Sequence, residues 1–81
     1  MSSKRHLEPA ALLLARFGGP TAVANALSSV TGHAYNRSTV AAWADRNRLP
    51  GDVLKDLIRA AVHARVPLTH QELIEGGTHD A

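Results

Sequence analysis

No cysteine occurs in this 81-residue chain, which excludes disulfide bridges and thiolate metal sites and fits a reducing compartment. Long apolar runs are missing as well. Nothing approaches the roughly 18 residues that cross a bilayer, and the stretch ALLLA at Ala11 to Ala15 is too short for the apolar centre of a secretion signal. The expectation is a soluble cytoplasmic protein with no membrane partner. Length permits one domain. A chain of this size buries only about 60% of the surface that its unfolded form exposes, so its core is thin and a dimer interface would add stability.

Converging catalytic groups are absent too. The five histidines, His6, His33, His63, His70 and His79, never pair at i, i+4 on one helix, and no cysteine joins them in a zinc site. His63 and His70 flank the turn VPLT and could meet, but with no third ligand nearby they read as solvent-facing. Asp52 and Asp56 stand beside Lys55 and Arg59 as surface helix partners rather than an acid–base couple. No enzyme, metal, cofactor or small-molecule substrate is expected.

Net charge is only +2, yet it is unevenly spread. Residues 1–48 carry Lys4, Arg5, Arg16, Arg37, Arg46 and Arg48 against Glu8 and Asp45, a net +4. Residues 49–81 carry Lys55, Arg59 and Arg65 against Asp52, Asp56, Glu72, Glu75 and Asp80, a net −2. A basic front half suits a protein that presents one end to a polyanion. Ordinary solvated charge explains the same counts equally well.

What the chain does have is an organising stretch, PTAVANALSSVTGHAYNRSTVAAW, from Pro20 to Trp43. Val23, Ala24 and Leu27 share one helical face, and Val40, Trp43 and Ala44 share another. Turn and cap formers lie between them, so the spacing predicts two helices folded against each other, separated by a loop from Ser28 to Tyr35. Within that loop Val30 and Tyr35 are read as apolar anchors. Packing is favoured for Tyr35 over a DNA-backbone contact, because aromatics are so few.

The flanks read in order. Residues 1–8 lack apolar periodicity and form a flexible arm in which Lys4 and Arg5 could reach a phosphate or simply fray. A first helix runs from Pro9 to Phe17, stopped by Gly18 and Gly19, with Leu13, Leu14 and Phe17 inward. GGP is a corner; the Lys-Ser/Thr ending of a phosphate loop is missing. Asn36 caps a third helix running to about Asn47. Asp52 caps a fourth with the stripe Val53, Leu54, Leu57, Ile58, Ala61 and Val62, expected to close the core over Trp43 and to leave part for a partner. After Pro67 a short last helix opens with a capping box, Thr69 and Glu72, and a hydrophobic staple, Leu68 and Leu73. The tail, 76–81, is read as disordered, leaving 9–75 as the domain.

The segments FGGPTAVANAL, STVAAW, NRLP, DVLKDLIRAAVHA and VPLTHQEL together resemble the small phage and plasmid regulators of the Cro and YdaS-like type, over residues 10–75. Ala24, Leu27, Val40 and Trp43 stand where such helix-turn-helix proteins carry their interlocking small and apolar residues. Ala24 and Val40 are sixteen positions apart, against about ten for a short turn, so the loop is expected to hold an insertion. The resemblance implies an all-α, compact bundle of about five short helices of the lambda-repressor-like helix-turn-helix type.

It also implies a function: a sequence-specific regulator that binds double-stranded DNA as a homodimer on a two-fold operator, blocking or recruiting RNA polymerase or a partner regulator. On that reading Arg37, Ser38, Thr39, Ala41 and Ala42 are the base-reading set, Arg37 through its planar fork to guanine. Thr21, Asn36, Arg46, Arg48, Lys4 and Arg5 are the backbone-contacting set. Arg46 and Arg48 suit the negative end of their helix as well as phosphates. The competing reading is a helical protein-interaction module without DNA binding, favoured by Asp45 on the groove-facing side and by the weak net charge.

Overall fold

Proline at the first helical position and a double glycine beyond the last bound the first helix, α1 (Pro9–Phe17), as expected. The structure is a computed structural model that describes residues 4–80; Met1 to Ser3 and Ala81, which belong to the expected arm and tail, lie outside the described residues. Gly18 and Gly19 take φ of 95° and 124°, and α2 (Pro20–Thr31) leaves at 86° to α1. The corner needs both glycines, since L side chains avoid this backbone region.

Beyond that corner α2 departs from expectation. Residues 28–31, read as loop, continue the helix. The Ser28 and Thr31 hydroxyls donate to the carbonyls of Ala24 and Leu27, each at 2.8 Å, so side chains that otherwise compete with a helix are satisfied inside it. Val30 packs half-buried on the core, and Gly32, with φ 76°, ends the helix. Only residues 32–36 then connect to α3 (Arg37–Arg46). The extra length between Ala24 and Val40 is thus mostly helix, not loop.

A 3₁₀ turn, Gly51–Val53, precedes α4 (Leu54–Ala64). Asp52, expected as the cap, lies inside this turn and makes no capping bond; the Val53 N–H donates instead to the Pro50 carbonyl at 3.1 Å. The buried face of α4 also differs from the expected stripe. Leu57, Ala60 and Ala61 are sealed, whereas Val62 is 74% exposed, and α4 packs chiefly along α2 rather than as a lid on Trp43. The last helix, α5 (His70–Glu75), has the capping box expected of Thr69 and Glu72.

The molecule is mostly helical, but the two ends that were expected to be unstructured pair with each other. Strand β1 (Lys4–Leu7) runs antiparallel to β2 (Gly77–Asp80), with Lys4 opposite Asp80 and Leu7 opposite Gly77. Gly76 makes this possible. Its φ of 81° is a glycine conformation, and a Cβ there would overlap the Leu7 carbonyl oxygen. The strands pack on α1, and Leu12, fully buried, lies under Gly77. The other face of α1 contributes Ala10 and Leu13 to a core shared with Val23, Leu27, Val40, Trp43 and Leu57.

Arg16 ties these parts together. Its Nη1 donates to Glu72 Oε1 at 2.7 Å and to the Pro67 carbonyl at 3.0 Å, and its Nη2 to the Thr78 carbonyl at 3.0 Å. The same Glu72 Oε1 accepts from the Thr69 N–H at 3.0 Å. The hydrogen bond from Arg16 holds the Glu72 carboxyl below its ordinary value of 4.5; burial, the next largest effect, opposes it, and the bonds from Thr69 and the charge of Arg16 add to the lowering.

A depressed carboxyl stabilises the fold fully above that ordinary value, and the contribution is lost as pH falls through the lower, folded value. Melting temperature should therefore drop between about pH 5 and pH 3 more steeply in the wild type than in Glu72→Gln; parallel curves would exclude the coupling. Separately, Gly76→Ala should destabilise by about 1–3 kcal/mol or more through strain and overlap. Gly51→Ala, with open space and no positive φ, should change stability by less than about 0.5 kcal/mol, and urea unfolding of both glycine variants checks the contrast.

Candidate nucleic-acid interface

The orientation of α3 is set by its cap and by two inward residues. Asn36 Oδ1 accepts from the Thr39 N–H at 2.9 Å and from the Thr39 hydroxyl at 3.0 Å. Val40 is sealed and Trp43 is 4% exposed. Tyr35 meets Trp43 edge-on, with ring centroids 6.4 Å apart and planes at 70°, while its N–H donates to Ser28 Oγ at 3.0 Å. Tyr35 is thus a packing residue that wedges the connection against α3.

Turning at about 100° per residue, α3 carries Ser38, Ala42 and Asp45 opposite Val40, with Arg37 and Ala41 on a flank. Arg37, Ser38, Thr39 and Asp45 are exposed, and Ala41 and Ala42 are half-buried. Thr39 differs from its expected role in one respect. Its hydroxyl proton is already given to Asn36, so it offers acceptor lone pairs only. Asn36, conversely, has its oxygen occupied and its amide N–H₂ left over, a donor that suits an anion.

The expected backbone contacts fall into separate groups. Arg46 and Arg48, both exposed, stand at the C-terminal end of α3, about 13 Å along the axis from Arg37 at 1.5 Å per residue. Thr21 is exposed in the first turn of α2, with Val23 and Leu27 buried on the opposite side. Lys4 and Arg5 are not on a free arm: their backbone is paired in β1, whose principal neighbours are β2 and α1. Arg16, counted among the basic front half, is neutralised by Glu72.

Clefts also escaped the sequence reading. One, of about 260 Å³, opens beside the end of α3 between Trp43, Arg46, Arg48, Leu49, Pro50 and Gly51. A larger one, about 740 Å³, lies where β1 meets α5 and is polar, with His6, Gln71, Glu72 and Glu75 among its walls. Glu72 is engaged by Arg16, and Gln71 donates to Glu75 at 2.6 Å. Among the described residues no three His, Asp or Glu side chains are placed to hold a metal ion. A run of residues far apart in sequence, such as His6 and Glu75, leaves no spacing signal by which the second cleft could be found.

No protein-family model, curated protein or solved structure matches this chain.

Because Asn36 supplies the only side-chain cap of α3, Asn36→Ala should lower stability by about 1 kcal/mol, while Asn36→Asp, which keeps the accepting oxygen, should stay within a few tenths. Urea unfolding of the two variants tests this, and equal losses would show that the cap is not what matters.

Proposed function

We propose that this chain is a sequence-specific double-stranded DNA-binding regulator of the Cro and YdaS-like helix-turn-helix type, acting as a homodimer. The observation that carries the reading is the two-sidedness of α3. One side, Val40 and Trp43, is buried in the same cluster as Ala24 and Leu27 of α2. The other exposes Ser38, with Arg37 exposed on the flank, beside two alanines small enough for close approach to a duplex. In this reading α3 enters the major groove, Arg37 and Ser38 bond base edges, and Ala42 contacts a thymine methyl. Arg46, Arg48, Thr21 and the Asn36 amide contact flanking phosphates and fix register. Two copies would present their α3 helices about 34 Å apart on one face of a two-fold site.

The alternative, a protein-interaction module, rests on two exposed apolar side chains, Val62 at 74% and Ile74 at 58%, and on Asp45 beside Ala42. A dimer interface would use the same apolar residues. DNA binding is preferred because an exposed carboxylate at the end of the α3 stripe can accept from cytosine N4, whereas the Arg37 side offers a protein partner no apolar anchor.

On a duplex selected from random sequences, Arg37→Ala should weaken specific binding by about 1–3 kcal/mol and leave non-specific binding nearly unchanged. Arg48→Ala should weaken all sequences alike and reduce the magnitude of the salt slope by about 1. No shift of any duplex at low salt, with capture of a protein partner by the wild-type chain, would replace this reading with the alternative. Sedimentation showing one copy per operator would remove the dimer.

A further inference from the structure

Trp43 is almost wholly buried, at 4% exposed. The side chain forms one wall of the 260 Å³ cleft beside the end of α3. That cleft exists because the helix ends on a left-handed residue. Asn47, at φ 52°, turns the chain so that its N–H donates to the Ala44 carbonyl at 3.1 Å and the Arg48 N–H to the Trp43 carbonyl at 2.9 Å. Arg46 and Arg48, two positions apart, therefore flank one hollow. Arg46 is steadied by Nε donating to the Ala42 carbonyl at 3.4 Å, which leaves its terminal nitrogens for a ligand.

The electrostatics are one-sided. No wall residue is acidic, and the ion pairs among the described residues, Arg16 with Glu72 and Arg59 with Asp56, use neither arginine. The helix end itself contributes about half a negative charge. Two full guanidinium charges exceed it, and the carbonyls of Trp43 and Ala44 are already capped. Leu49 and Pro50 supply an apolar floor. The volume equals that of roughly nine waters at about 30 Å³ each, below the range of drug-sized sites.

We propose that this cleft binds an oxyanion carried on a small apolar body, a phosphate ester or carboxylate, with the charge between Arg46 and Arg48 and the apolar part on Leu49, Pro50 and the edge of Trp43. The site does not depend on DNA binding by α3. Its ligand is either a free small anion or the phosphodiester of a duplex, which share this chemistry.

Trp43 is the only tryptophan, so its fluorescence reports the cleft directly. Phenyl phosphate should change the emission saturably in the millimolar range at low ionic strength, and inorganic phosphate should bind more weakly. Arg46→Ala and Arg48→Ala should each raise the dissociation constant about tenfold. Lys55→Ala, at an exposed cation outside the cleft, should leave it unchanged. Both cleft arginines are exposed, so circular dichroism should show the variants folded. No saturation, or an unchanged affinity in the folded double variant, overturns the site; equal affinity for inorganic phosphate strikes out the apolar floor. Given saturation, displacement of a labelled duplex by phenyl phosphate assigns the cleft to a DNA phosphate, and simultaneous binding assigns it to a free anion. A chain that binds phenyl phosphate but no duplex would sink the DNA reading and keep this one.

Discussion

Arg16 is the side chain on which the closure of the fold depends. Three partners, the Pro67 carbonyl, the Glu72 carboxylate in α5 and the Thr78 carbonyl, are 51 to 62 residues away from it in sequence, and one guanidinium serves all three. A planar fork of five N–H donors can do this where a lysine could not. The result is that α5 and β2 are drawn onto α1, whose second face would otherwise leave Leu12 in water. In a chain with so thin a core, that extra cover is a large fraction of the available burial. It also leaves α3 with a free outer surface, because the ends of the chain are folded over α1 instead.

How much of this could be read from the residues follows from what each signal encodes. Pro9, Gly18, Gly19, Pro20, Asn36 and the Thr69–Glu72 pair act within a few residues of themselves, and the elements they bound came out where the sequence places them. The apolar sides of α2 and α3 were legible for the same reason. Ser28 to Thr31 misled because serine and threonine favour turns only when their hydroxyls find no carbonyl one helical turn back, and here they do. The run LLL in α1 has no polar side by which to choose a face, and the expected inward set, Leu13, Leu14 and Phe17, missed Leu12, which is fully buried while Leu14 and Phe17 are half-buried. The pairing of 4–7 with 77–80 has no local signature, since what permits it is a glycine whose missing Cβ would strike a residue nearly seventy positions away.

The same distinction runs through the candidate site. The outward set on α3 was legible from periodicity, but what each member has left to offer was not. Thr39 gives its proton to a cap, Asn36 keeps only its amide, and Tyr35 is used against Trp43. The charge asymmetry between halves overstated the case, for Arg16 belongs to the scaffold and Lys4 and Arg5 have their backbone in a strand rather than on a free arm. What remains is a narrow line of donors along one short helix, ending in two arginines around a hollow that only the left-handed Asn47 creates.

Antiparallel pairing of the first and last described strands has a topological meaning. Neighbouring Cα atoms across such a ladder are about 5 Å apart, so residues 4 and 80 lie side by side, and a bridge of a few residues between these two positions would close the described backbone into a ring. New ends opened between Gly32 and Asn36, in the exposed connection between α2 and α3, would then yield a circularly permuted molecule with the same contacts. By the same geometry, the described backbone begins and ends at one place, on the strand pair that packs against α1.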